Sequence, residues 1–271
     1  MRLSPSVALL AGALALQAEF ARAAEPSCPT ADQPIETDRP DITNSSIVVP
    51  AGSLQSENGT DVSGQDGSRT VGGPESRLRF GIAPCLEVLV DLPNYSAVGG
   101  SRTSSLASGW SDVAPAIKWQ ISPAPGNFDL SATLGAALPT GKAALSGPGV
   151  QPYLQFPWSK NLGSGFNLTG MLTFFTHPAD PQNKLTTETT LALDKDLTEH
   201  VEVFAEYVGD FPETGGSRQM ANSGVLWRIA ETQQIDMHLG FGLNNNTPNF
   251  AVGLGYSLRI DGLLREQRRL R

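Results

Sequence analysis

Long apolar runs, histidines, cysteines and basic clusters are all scarce in these 271 residues. Each scarcity excludes something. The chain carries 19 Lys and Arg against 27 Asp and Glu, a formal net charge of −8. Nucleic-acid binding needs clustered cations to neutralise phosphates, so no nucleic-acid partner is expected. The one basic cluster is the tail with Arg265, Arg268, Arg269 and Arg271. Beyond the first residues no stretch approaches the 18 apolar residues of a membrane-spanning helix. The three histidines are His177, His200 and His238, and no Gly-x-Ser-x-Gly elbow accompanies them. A hydrolase needs a nucleophile, a base and an orienting group within reach, so no catalytic residue and no enzyme are expected. Asp61 and Asp66 in "DVSGQDG" lack the full spacing of a calcium loop. A Gly-Lys-Ser/Thr phosphate loop is also missing. No metal, no cofactor and no energy coupling are expected.

The amino terminus reads as a secretory signal over residues 1–23. Arg2 supplies the positive charge, "VALLAGALALQA" a short apolar core, and Ala21-Arg22-Ala23 the small-x-small cleavage site. The competing reading is a membrane anchor, which that run is short for. No lipid-attachment triplet precedes Cys28. Export leaves Cys28 and Cys85 in an oxidising compartment, where an even count permits one disulfide. A Cys28–Cys85 bond and two free thiols both stay open, because connectivity is not readable from spacing.

What the chain has in abundance is alternation with period two, the mark of half-buried strands. In "NFDLSATLGAAL", Phe128, Leu130, Ala132, Leu134, Ala136 and Leu138 share one face, opposite Asp129, Ser131, Thr133 and Gly135. The same sorting recurs in "GFNLTGMLTFF", "HVEVFAEYVGD", "QIDMHLGFGL" and "NFAVGLGYSLRI". Strands are expected near 54–59, 75–83, 86–94, 111–121, 127–138, 150–160, 165–176, 184–195, 200–210, 222–231, 234–243 and 249–260, about twelve in all. The intervals between them alternate. Tight turns fall at 83–85, 122–126, 160–164, 196–199 and 231–233; longer Gly/Ser/Asn-rich loops fall at 60–74, 95–110, 139–149, 177–183, 211–221 and 244–248. Short periplasmic turns and long extracellular loops are the pattern of an outer-membrane barrel. The expectation is an all-β, up-and-down antiparallel transmembrane barrel over 53–260. An arm over 24–52 precedes it on the periplasmic side and a basic tail over 261–271 follows.

Such a barrel must turn apolar side chains to lipid and can keep charge inside. Parity places Arg77, Arg79, Glu87, Asp91, Asp112, Lys118, Asp129, Glu188, Asp194, Glu202, Glu206, Asp210, Arg228, Asp236 and Arg259 on the lumen side. Trp119, Phe128, Trp158, Phe166 and Tyr256 fall toward the periplasmic ends of the lipid face. Phe174, Tyr207, Phe241 and Phe250 fall toward the extracellular ends, so that two aromatic girdles are expected. The lumen charges admit two readings, cross-strand ion pairs that fill a narrow interior and a selectivity lining.

The chain resembles the phenol-degradation meta-pathway family of outer-membrane transporters. The resemblance is carried by "TDRPDIT" with "VPAGSLQSENG", by "SRLRFGIAPCLEVLVDLPNY", "GWSDVAPAIKWQI" and "LGAALPTGK", and by the closing "VEVFAEYVG" and "QIDMHLGFGLNNNTPNFAVGLGYSLRI". It implies a barrel in a bacterial outer membrane that passes small molecules, aromatic or hydrophobic ones among them. The partners implied are membrane lipid and a small-molecule permeant. The tail "DGLLREQRRLR" departs from barrels that stop at a terminal aromatic strand. Alternatives from other classes are a closed structural or adhesion-like barrel and a soluble β-sandwich binding protein.

One stretch remains, the charged "ETDRPDITN" ahead of the first strand. A solvated arm with a proline-set bend is one reading. The other has Asp38, Arg39, Pro40 and Asp41 folding into the barrel mouth as a plug or gate. Arg39 would then pair lumen carboxylates, and Asp38 or Asp41 would pair lumen arginines.

Overall fold

A computed structural model describes residues 28–100, 108–121, 128–143, 145–147, 149–176 and 185–264. The signal segment, the 122–126 turn, the 177–183 loop with His177, and the tail's arginines lie outside the described residues. Fourteen strands form one sheet: β1 Leu54–Gln65, β2 Ser68–Ala83, β3 Leu86–Asp91, β4 Tyr95–Gly100, β5 Gly109–Trp110, β6 Ala114–Gln120, β7 Phe128–Ala137, β8 Gln151–Gly163, β9 Phe166–Phe175, β10 Thr186–Asp196, β11 Val201–Pro212, β12 Arg218–Ala230, β13 Gln233–Gly242 and β14 Phe250–Ile260. Both β3 and β4 pair with β2, and β6 and β5 pair with them in turn. Each of these couples is one interrupted stave, so the wall has twelve staves. Every pairing is antiparallel, and β1 pairs with β14 from Leu54↔Ile260 to Gly64↔Phe250. The sheet therefore closes on itself, as a membrane strand must if no edge is to face lipid. A closed barrel also excludes the β-sandwich alternative.

The apolar parity faces outward and stays uncovered. Trp119 and Leu254 are each 56% exposed and Phe241 57%, in a structure where large apolar side chains would otherwise be buried. The polar parity faces inward, and it is the buried face: Arg79, Glu57, Glu87 and Asp236 have almost no solvent contact. This inversion of the usual core is what a lipid solvent requires.

Some boundaries need correction, among them the interval 95–110, read as a loop, which carries β4 and β5. The interval 60–74 is not a loop. β1 and β2 continue through it and turn at Asp66-Gly67, both with positive φ (51° and 81°). Asp-Gly is the natural dipeptide for a two-residue hairpin turn, and the surrounding Gly/Ser composition concealed it. The strand expected at 111–121 starts only at Ala114, with Gly109–Trp110 a separate piece. Asp112 consequently lies in the break between β5 and β6. Its Oδ1 accepts from the backbone N–H of Thr140 (3.0 Å) and Gly141 (2.8 Å). It ties down a long-loop-side segment, and it borders the vestibule from this break and not from a strand.

Candidate functional site: the arm within the lumen

Residues 28–53 do not hang below the barrel. The arm enters the lumen and is bonded to nearly every side of it. A disulfide joins Cys28 to Cys85 in the β2–β3 turn, with Cα atoms 4.9 Å apart. Ile35 donates its N–H to Glu231 O between β12 and β13 (2.8 Å). At the other end of the arm Ala51 bridges Gly81, and Gly52 N–H donates to Gly81 O at 2.7 Å. The arm is thus a strap fastened at both ends, with Ile35, Val48 and Val49 buried along it.

Between those anchors, arm and wall exchange charge. Asp38 sits 2.9 Å from Arg77 and 3.3 Å from both Arg79 and Lys118. Its own N–H donates to Glu57 at 3.0 Å. Arg79 is fully buried and pairs Glu57 and Glu87 at 3.0 Å each, while its Nη2 donates to the arm carbonyl of Ile47 at 2.8 Å. Val49 N–H donates to Glu87 at 2.6 Å. Arg39 points the other way, to Glu75 on β2 (2.8 Å) and Asp236 on β13 (3.5 Å). Gly59 on β1 and Gly255 on β14 face each other in register, and a Cβ on either would overlap the Arg39 side chain. Two glycines on the closing strands make the slot that Arg39 occupies.

The far wall receives the arm through neutral donors. Glu206 on β11 accepts from Ile42 N–H (3.1 Å), Thr43 N–H (2.8 Å), Thr43 Oγ1 (2.7 Å) and Asn222 Nδ2 (2.9 Å). Asn44 donates to Gln155 on β8. On the near side, the charged Arg259 of β14 donates to the carbonyls of Gln33 (2.8 Å) and Pro34 (3.2 Å). Asp41 is the exception. Of Asp38 and Asp41, either of which was expected to pair lumen arginines, Asp38 does so; Asp41 forms no ion pair among the described residues and lies toward Glu206, Asp194 and Glu202. Burial, and then the charges of those three acids, hold its carboxyl well above the usual range. Asp38 goes in the opposite direction. Burial raises it, but Arg79, Lys118 and Arg77 together outweigh burial and hold it well below its ordinary value.

The arm divides the interior. On the long-loop side lies a vestibule of about 750 Å³, with Pro40 and Ile42 in its floor and Glu188, Asp210, Met220 and His238 in its walls. On the short-turn side lies a cavity of about 200 Å³ bordered by Glu36, Asp194, Glu202 and Arg228. Arg39, Asp41 and Asn44 border both. Glu188 stands opposite Asp210 in register, and Arg218 pairs that Asp210 at 2.8 Å. Arg228 donates to Glu199 O at 3.0 Å and takes no part in the arm's ion pairs. Sequence reasoning missed Glu57 and Glu75. Both share the inward parity of Arg77 and Arg79, and that parity would have found them.

A closed twelve-stave sheet with an apolar exterior and a charged, occupied lumen defines a transmembrane β-barrel of the outer-membrane type. The chain belongs to the family described as "Putative MetA-pathway of phenol degradation", whose family model matches residues 37–260. That match begins inside the arm, one residue before Asp38. Among solved structures, the chain is similar to the crystal structure of an outer membrane channel from Pseudomonas putida F1. The two share 15% identity over 86% of this chain and 100% of that one, with a TM-score of 0.61. It is also similar to the KdgM porin (9% identity, 74% and 98% covered, TM-score 0.48) and to the CymD monoaromatic hydrocarbon channel (9%, 80% and 90%, 0.46). At 15% identity the likeness to the Pseudomonas putida F1 channel is one of fold. None of the curated proteins matches the chain.

Proposed function

We propose that this protein is a passive outer-membrane channel for small molecules, aromatic or hydrophobic ones among them, and that the arm is its plug. The periplasmic side is the short-turn side, where the arm enters. The observation that carries the reading is the arm's position. It separates two cavities, and its middle is held by polar contacts: Asp38 and Arg39 insert into wall clusters, and Ile42, Thr43 and Asn44 bond the far wall. A permanent filler could use apolar packing; ion pairs between strap and wall can part when solvated. The family's description associates its members with phenol degradation and supports small aromatics as the permeant class. We assign no reaction to the protein.

Planar-bilayer conductance of the wild type and of a variant lacking residues 36–46 tests this. The deletion is expected to raise conductance while the barrel still folds. Equal conductance in a folded variant rejects the plug. The strap's bonds to so many staves also suit a second reading, a closed barrel acting through its loops. That reading predicts no permeation of ions or small aromatics by either protein.

A further inference from the structure

The outward face of the barrel carries charge of one sign. Every Asp and Glu of the strands borders a lumen cavity or bonds the arm. The charged strand residues of outward parity are Arg69, Lys160 and Lys195. Arg69 stands near the β1–β2 hairpin tip, at the long-loop end. Lys160 and Lys195 stand together at the opposite end, on β8 and β10, with β9 between them. Lys195 Nζ donates to Ser164 O (2.6 Å) in the β8–β9 turn and lies 4.4 Å from the Phe166 ring centroid. Lys160 is exposed and its side chain makes no hydrogen bond among the described residues. Neither lysine forms an ion pair among those residues, and Asp196, next to Lys195, borders the lumen cavity instead.

Register fixes how the two lysines sit. Lys195 is opposite Phe166, and Lys160 is opposite Leu168 on β9 and Phe128 on β7. Two ladder spacings across and two residues along place their Cα atoms ~12 Å apart. Two four-carbon stems can close that gap onto one headgroup. The surface around them is apolar: Leu162 and Phe166 are exposed, and Phe128 stacks on Trp158 with ring centroids 5.7 Å apart. Aromatic rings on the lipid face mark the membrane interface, so the pair sits at headgroup depth in the periplasmic leaflet. Lysines at that depth lay their stems along the apolar layer and hold their ammonium groups among the headgroups.

We propose that Lys160, Lys195 and Phe166 form a binding site for one anionic phospholipid of the periplasmic leaflet. The phosphodiester lies between the two ammonium groups, and the acyl chains run against Phe166, Leu168 and Trp158. A zwitterionic headgroup fits less well, because its own ammonium meets two cations and no carboxylate on this face. Phe166 acts twice: its edge faces lipid, and its π face holds the Lys195 ammonium in place. The site does not depend on whether the lumen conducts.

Native mass spectrometry of the protein, released from micelles holding equal amounts of phosphatidylglycerol and phosphatidylcholine, tests this. Wild type is expected to retain phosphatidylglycerol in preference, and the preference to fall with added salt. Two lysines at a membrane surface are worth roughly thirtyfold in affinity for an anionic headgroup. Lys160→Gln with Lys195→Gln is therefore expected to lose the preference. Lys160→Arg with Lys195→Arg is expected to keep it, and Arg69→Gln, at the far end, to leave it unchanged. Equal retention of the two lipids by wild type overturns the site. So does a preference that survives in the folded double Gln variant, or one lost equally in Arg69→Gln. Should the double variant not fold, undiminished preference in both single variants overturns it.

Discussion

Asp38 and Asp41 are three residues apart and face opposite electrostatic surroundings. Their signs can be worked out against the released arm, where each carboxyl has its ordinary value of 3.8. Asp38 is depressed in the seated arm. It supports seating above pH 3.8, and that support is lost as pH falls below it. Asp41 is elevated. It opposes seating above its raised value, and the opposition fades as pH falls toward 3.8. Glu36, raised chiefly by burial, has the sign of Asp41. Between neutrality and about pH 4, acidification therefore tightens the arm. Channel open probability is expected to be lower at pH 5 than at pH 8, with Asp41→Asn flattening that difference; a wild-type profile with the reverse slope contradicts the assignment. Arg79 poses a different question, because it has no solvent to fall back on. Its replacement by Met leaves Glu57, Glu87 and Asp38 sharing Lys118 and Arg77. Removing one member of a buried ion cluster costs about 3–5 kcal/mol, and urea unfolding in detergent should show a loss of that size.

At the scale of elements, the strap and the first hairpin carry the expectations. The disulfide closes a loop with a sequence separation of 57. Its removal by Cys28→Ser with Cys85→Ser should lower stability by about 2–4 kcal/mol. The same change should raise protease sensitivity ahead of Ile35, whereas cleavage unchanged from wild type would show that the buried bonds alone retain the strap. The β1–β2 extension turns through Gly67 at φ 81°. Ala there is expected to cost about 1 kcal/mol, read as a shift in unfolding midpoint. Facing was legible in the expected strands, as in 128–138, where every second residue is apolar, but β4 and β5 fell inside the interval 95–110 that reads as a loop. Strand ends were not legible. The stretch 60–74 is rich in Gly, Ser and Asp, which signals loops on average, yet neighbouring ladders supply all the pairing that its own composition lacks. The strand expected at 111–121 was drawn too long for a related reason: a period-two count cannot see that the stave breaks beside Pro93 on the neighbouring strand.

The whole molecule is a core turned inside out, and its stability should answer to which side a charge is placed on. Leu254, outward and uncovered near the middle of β14, faces lipid. Leu254→Arg should destabilise the bilayer-folded protein by about 2–4 kcal/mol if that position lies at the midplane. Gln155→Arg, on the lumen side beside Asn44 and the arm, should not incur that lipid term; refolding into vesicles across a urea series distinguishes them. Sorting of this kind is local, because side chains alternate by strand geometry alone. The sequence by itself therefore determined an all-β membrane barrel, its lipid and lumen faces, and the charge of the arm. It could not determine which charges meet. Arg39 finds its slot because closure of the sheet brings Gly59 beside Gly255, 196 residues later. Asp38 meets Arg77, Arg79 and Lys118, while Asp41 lies toward Glu206, Asp194 and Glu202, because the strap's path sets each against a different wall. Alternation is written in successive residues. Closure, register and the course of the strap depend on pairings between distant segments, and only the tertiary structure decided those.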